Sequence, residues 1–146
     1  MLYRCNWECI CYQNTQFKND NSTADKLKYY RLKSGLTQNQ LADIVGFSNG
    51  SCIKDIEIGR KLPGRNISKK LAAYFKLDTK YFFDKYLEST DTIKLILKDY
   101  REKHNLTIKQ VSNKFNISQT AWQSWESGNN YPSRSKYELL KKYNIL

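Results

Sequence analysis

The stretch from Tyr100 to Pro132 is a degraded second copy of the stretch from Tyr30 to Pro63. Tyr30-Arg31 falls on Tyr100-Arg101, Leu36-Thr37 on Leu106-Thr107 and Ser48 on Ser118, each at an offset of 70 residues. After the serine the offset drops to 69, so that Glu57 meets Glu126, Gly59 meets Gly128 and Pro63 meets Pro132. A repeat of this length marks one structural unit built twice. A chain of 146 residues has room for two such small units. Each is close to the lower size limit at which a core of about 55–65 residues folds alone.

The expected elements are helices. Asp25 is a candidate cap for a helix carrying Leu27, Tyr30 and Leu32 inward and ending at Gly35. Thr37 caps the next, with Gln40 three residues on as a capping box, Leu41, Ile44 and Val45 as the apolar face and Gly46 as the stop. Ser48 or Asn49 opens a third with Ile53 and Ile56 inward, stopped at Gly59, and Pro63-Gly64 forms a turn. Leu71, Tyr74 and Phe75 mark a fourth, and Tyr81, Phe82, Tyr86 and Leu87 a fifth. The second copy repeats the first four. Asp91 and Thr107 are the expected caps of its first two helices, with Gln110 completing a second capping box. Ser118 caps a third that turns Trp122 and Trp125 inward, and Ser133 opens a fourth with Tyr137, Leu140 and Tyr143. The expected fold is all-α, with five helices in residues 24–87 and four in residues 91–146, behind a short irregular leader at 1–23.

The net charge of +11 is concentrated in these units. Residues 24–87 carry 13 Lys/Arg against 6 Asp/Glu, and residues 91–146 carry 10 against 5, while the leader balances 2 against 2. Compact basic units are the electrostatic footprint of nucleic-acid binding. Lys nevertheless outnumbers Arg 19 to 6 beside abundant Asn and Tyr, a usage that AT-rich coding produces without any binding role. Charge alone therefore does not decide the function.

Cys5, Cys9 and Cys11 are weak candidate zinc ligands, since their spacing is not that of a finger or ribbon and only Cys52 or His104 could fold back as a fourth. The opening residues lack the apolar region of a signal peptide, and no run approaches the length needed to span a membrane. A cytoplasmic chain with reduced thiols, no cofactor and no membrane association is expected. No Walker loop, HExxH, nucleophile elbow or dinucleotide fingerprint is present, and the lone His104 falls near a helix end. An enzyme is not expected.

The pattern Gly35-Leu36-Thr37-Gln38, Leu41-Ala42, Gly46-Phe47-Ser48, then Ile56-Glu57-x-Gly59 and Pro63 resembles the phage-repressor class of helix-turn-helix, the XRE/Cro-like (lambda-repressor-like) family. The second copy is similar through Leu106-Thr107, Val111, Asn116-Ile117-Ser118-Gln119-Thr120, Trp125-Glu126-Ser127-Gly128 and Pro132-Ser133. Turn, caps and apolar positions agree at once, and do so twice over about 120 residues. In such a fold a protruding second helix enters the major groove and points its first residues at base edges, while neighbouring donors hold phosphates.

The resemblance implies a sequence-specific regulator of double-stranded DNA, of the repressor type found in phages and mobile elements. It carries base reading to Gln119, Thr120 and Ser124, with Gln123 as a phosphate candidate and Lys109 as a further DNA-contact candidate. In the first unit the corresponding positions are Gly50, Ser51 and Asp55, with Asn49 beside them as a further contact candidate and Lys54, Arg60 and Lys61 placed for phosphates. The extra residue of the first copy, Asn49 or Gly50, falls at the tip of this reading helix. Gln38, which in the family donates to a phosphate and braces the reading helix, is replaced by Ile108 in the second copy. Glu57 and Glu126, at equivalent helix ends, are expected to be structural. The alternative is an interaction module using the same scaffold to bind a protein partner, and a homodimer is a further option that the sequence leaves open.

Overall fold

The computed structural model describes residues 22–146, and among these it holds nine helices and no strand. They fall into two compact units, the first ending at Asp84 and the second running Lys85–Leu146. Each is built around its own apolar core.

The first unit contains α1 (Thr23–Lys33), α2 (Gln38–Val45), α3 (Ser51–Glu57) and α4 (Arg65–Tyr74). Ser22, not Asp25, caps α1: its hydroxyl oxygen accepts from the Asp25 backbone N–H at 3.2 Å, and in turn donates to the Asp25 carboxylate. Asp25 thus sits in the first turn, where its charge complements the positive end of the helix. Gly35 follows α1 with φ 68°, and Gly46 ends α2 with φ 86°. Thr37 and Gln40 form the expected capping box. Neither Ser48 nor Asn49 caps α3. Gly50 holds that position, with no side-chain cap bond.

Leu27, Leu41, Ala42, Val45, Ile53, Ile56, Leu71, Ala72 and Phe82 form the core of the first unit. Burying each large aliphatic side chain stabilises the fold by about 1.5–3 kcal/mol. An aromatic corner of Tyr30, Phe75, Tyr81 and Phe82, with ring centroids 5.3–6.3 Å apart, closes one side.

The fifth helix expected across Tyr81 to Leu87 does not form as one element. Asp78 begins a chain of tight turns instead, accepting from the Lys80 N–H on its side chain and from the Tyr81 N–H on its carbonyl, both at 2.9 Å. Those turns deliver Tyr81 and Phe82 to the first core. Tyr86 and Leu87 belong to α5 (Lys85–Thr90), in the second unit. The Tyr86 hydroxyl donates to the Pro132 carbonyl at 2.6 Å, and its ring meets Tyr137 edge-on at 5.3 Å. The helix count is therefore four and then five, the reverse of the expectation.

The second unit continues with α6 (Ile93–Lys103), α7 (Ile108–Phe115), α8 (Gln119–Ser127) and α9 (Arg134–Lys142). Asp91 does not cap α6, which opens after Thr92 without a side-chain cap bond. Thr107 with Gln110, Ser118 and Ser133 all cap as their chemistry predicts. Asn116 takes the left-handed stop at φ 50° that Gly46 takes in the first unit. His104 ends α6, with Nδ1 2.8 Å from the Tyr100 carbonyl oxygen. Trp122 and Trp125 are buried in the core with Ile93, Leu97, Val111, Phe115, Ile117, Leu140 and Ile145.

Candidate nucleic-acid interface

A protruding helix can present a defined face only if its inner side is immobilised. In the first unit that is done by Glu57, at the end of α3. Arg31 of α1 grips its carboxylate with both arms of the guanidinium, Nε to Oε1 at 2.6 Å and Nη2 to Oε2 at 3.0 Å. The third guanidinium nitrogen donates to the Leu36 carbonyl at 2.9 Å. Gln38 of α2 donates its amide to the same carboxylate at 2.8 Å. The pair is nearly sealed from solvent, with side chains 9% and 3% exposed. One buried acid therefore ties three helices together, and the bidentate geometry fixes direction as well as distance.

The second unit repeats the arrangement with one substitution. Arg101 donates to Glu126 at 2.7 and 3.1 Å, and its remaining arm reaches the Leu106 carbonyl at 3.4 Å. Glu126 holds the Arg101 guanidinium above the usual arginine pKa, chiefly through this hydrogen bond. Ile108 cannot do what Gln38 does. The Trp122 indole N–H donates to Glu126 at 2.6 Å instead. Both glutamates are structural, and Gln38 braces α3 through Glu57. Sequence analysis did not single out Arg31 and Arg101, although the arginine recurs at an offset of 70 and its glutamate partner at 69, and that paired recurrence was a usable signal.

On the outer face of the first unit, Ser51 and Lys54 are exposed along α3 and share a shallow groove with Thr37, Gln38 and Asn39 of the α2 start. Asn49 is exposed, and its side-chain Oδ1 accepts from the Ser51 N–H at 3.0 Å.

Gly50 stands at the start of α3. It is buried, and its N–H donates to the Asn39 side chain at 2.8 Å. A Cβ at this position would come within 2.9 Å of the Asn39 backbone nitrogen and 3.0 Å of the Gln38 carbonyl carbon, besides striking the Asn39 side-chain oxygen. Gly50 is thus the point where α3 seats on the first turn of α2, on the wall of the groove that Ser51 and Lys54 share. Asn39, which the sequence reading passed over, holds that seat.

Asp55 is half-buried, with Lys61 Nζ 2.8 Å from one carboxylate oxygen and Arg60 3.9 Å from the other. The Lys61 hydrogen bond holds the Asp55 carboxyl below its ordinary pKa, and the same bond raises that of Lys61. The backbone N–H groups of Arg60 and Lys61 also donate to the Asp55 carbonyl, at 2.9 and 3.1 Å.

In the second unit Gln119, Thr120 and Gln123 are exposed and Ser124 is half-exposed. Thr120, Gln123 and Ser124 line a shallow groove with Ser127 and Asn129. The loop after α8 copies the loop after α3, with Asn129 and Asn130 N–H groups donating to the Ser124 carbonyl at 3.0 and 3.2 Å. Its side chains are neutral where the first unit carries Arg60, Lys61 and Asp55. Lys109, exposed in the first turn of α7, occupies the position of Asn39.

Cys5, Cys9 and Cys11 lie outside the described residues. Among the described residues no three His, Cys, Asp or Glu side chains gather as a metal site, and Cys52 is a free, half-buried thiol. No helix among them is long and apolar enough to cross a membrane.

Residues 24–88 match the family model of the helix-turn-helix domain. No curated protein and no solved structure matches the chain.

Proposed function

We propose that this chain is a sequence-specific, double-stranded DNA-binding transcriptional regulator, of the repressor type used by phages and mobile elements, with two unequal reading helices. The observation that carries this reading is the pairing of opposites on α3 and on α8. Each is locked inward by a bidentate Arg–Glu pair and presents outward a row of exposed polar side chains. A helix of this kind has the dimensions of the major groove, and amide and hydroxyl side chains match the donors and acceptors displayed there.

The roles divide between the units. Gln119 and Thr120 open α8 and are the proposed base readers, with Gln123 and Ser124 beside them. Ser51 and Lys54, with Arg60 and Lys61, give the first unit a cationic contact to the backbone, and Gln38 keeps one amide proton for a phosphate after bonding Glu57. The match of residues 24–88 to the helix-turn-helix domain family supports DNA as the partner of the first unit.

Selection of the full chain on random-sequence duplexes at physiological salt tests the reading. A bipartite enriched motif is the expected outcome, and a reporter placed behind that motif gives the sign of regulation. A second reading, in which the scaffold grips a protein, draws on Ile58 and Leu62, apolar and about half-exposed on the loop after α3. Absence of any enriched duplex would favour it.

A further inference from the structure

Positions 51, 54 and 55 share one face of α3 by helical spacing, so Asp55 stands beside Ser51 and Lys54 on the side proposed to meet DNA. An acid there opposes every phosphate. Its matching residue in the second unit is Ser124, followed by Asn129 and Asn130 where the first unit has Arg60 and Lys61. The acid and its two cations are therefore a feature of the first unit alone.

The geometry makes these cations transferable. Arg60 and Lys61 are bound to Asp55 twice, through their backbone N–H groups to its carbonyl and through their side chains to its carboxylate. Only the second attachment must break for the cations to reach a phosphate, so the helix and loop keep their positions. It is also weak, because the Arg60 and Lys61 side chains are 74% and 64% exposed. The carboxylate left behind is 24% exposed and needs a new donor.

In the major groove only cytosine N4 and adenine N6 donate, whereas guanine N7 and O6, adenine N7 and thymine O4 accept. A carboxylate facing any acceptor is repelled. Adenine places an acceptor next to its donor, which suits an amide side chain, while the cytosine edge offers the amino group without one. Resting on the DNA-binding reading above, we propose that Asp55 is a specificity-determining residue of the first unit. It selects cytosine by accepting from the N4 amino group while Lys61 and Arg60 transfer to backbone phosphates.

The test is duplex selection with the full chain, followed by competition binding on the selected site. Wild type should show one cytosine position, distinct from the position sensitive to Gln119→Ala, at which replacement weakens binding by about 5- to 150-fold. Asp55→Asn should abolish that preference or move it toward adenine, which an amide reads through two bonds. Asp55→Ser, the residue type of the second unit, should make the position indifferent. Both variants should bind unrelated duplexes more tightly, having lost a negative charge. Lys61→Ala should flatten the salt dependence by a slope of about 0.9. Urea unfolding of the first unit at the wild-type midpoint in both Asp55 variants, followed by circular dichroism, shows that the unit carrying the substitution is folded.

The inference is overturned if the selected motif has no such cytosine position. It is equally overturned if Asp55→Asn and Asp55→Ser change all duplexes by one common factor. No enrichment by wild type would instead overturn the DNA-binding reading itself, and this inference with it.

Discussion

The Trp122 indole N–H donates to the Glu126 carboxylate at 2.6 Å, filling in the second unit the place that the Gln38 amide holds against Glu57 in the first. The two units thus reach the same three-donor cradle for a buried glutamate by different routes. Gln38 reaches it from α2, so its bond also joins two helices. Trp122 reaches it from within α8, one helical turn before the acid. The cross-helix restraint in the second unit rests more heavily on Arg101.

Breaking these cradles should cost unequal amounts. Glu57→Ala strands the nearly sealed Arg31 and is expected to destabilise the protein by about 3–5 kcal/mol. Trp122→Phe keeps most of the ring in the core but removes one donor from a charged acceptor, for an expected loss of about 1–3 kcal/mol. Urea unfolding followed by circular dichroism measures both. Equal losses would show that the N–H of Trp122 matters as much as the whole carboxylate of Glu57.

Gly50→Ala is the smallest change that should disturb the first reading helix. Its Cβ would meet backbone at the start of α2, which cannot rotate away as a side chain could. An overpacking cost of about 1–3 kcal/mol is expected. Asn39→Ala removes the side-chain part of the clash but not the backbone part, so the double variant should recover only some of the loss. Full additivity in that double-mutant cycle would mean that the two residues do not touch in solution.

Ser112 is buried in α7 where the first unit carries Ala42, and its hydroxyl oxygen has no hydrogen-bond partner among the described residues. Ser112→Ala should therefore stabilise the protein, by about 1–3 kcal/mol, since an unpaired hydroxyl is removed from an apolar site. The readout is a higher urea midpoint at unchanged slope. A lower midpoint would reveal that the hydroxyl finds a partner in solution.

Base readers and phosphate contacts should separate by the pattern of their effects. Gln119→Ala is expected to relax discrimination at about one base pair, at a cost on the order of 1–3 kcal/mol on the preferred sequence alone. Lys54→Ala should weaken all duplexes alike and lower the salt slope by about 0.9. Competition binding across a salt series distinguishes the two. If the two patterns were exchanged, the assignment of roles to α3 and α8 would fall.

Much of the fold was legible because it depends on local chemistry. Thr37 with Gln40 and Thr107 with Gln110 announce helix starts by spacing alone, and the buried tryptophans follow from helical periodicity. What escaped the sequence was decided by contacts between distant residues. Asn49 is a respectable cap by type, yet Asn39 captures the next residue's N–H from another helix and moves the helix start to Ser51. Tyr81 and Tyr86 look like one helical face, but the first turns into the core of one unit and the second bonds Pro132 in the other. The motif places Asp55 on the helix and Arg60 and Lys61 after it, but that both cations fold back onto the acid is a matter of the loop's backbone path.

The neutral loop of Asn129 and Asn130, set against the charged loop of Arg60 and Lys61, has a consequence in time rather than in affinity. Long-range attraction to a polyanion accelerates encounter and fades with salt, whereas short-range hydrogen bonds act after contact and govern escape. Under the proposed function the charged loop would add to how quickly the chain arrives, and the neutral loop to how long it stays. Raising ionic strength should then slow arrival far more than it shortens residence at a preferred site.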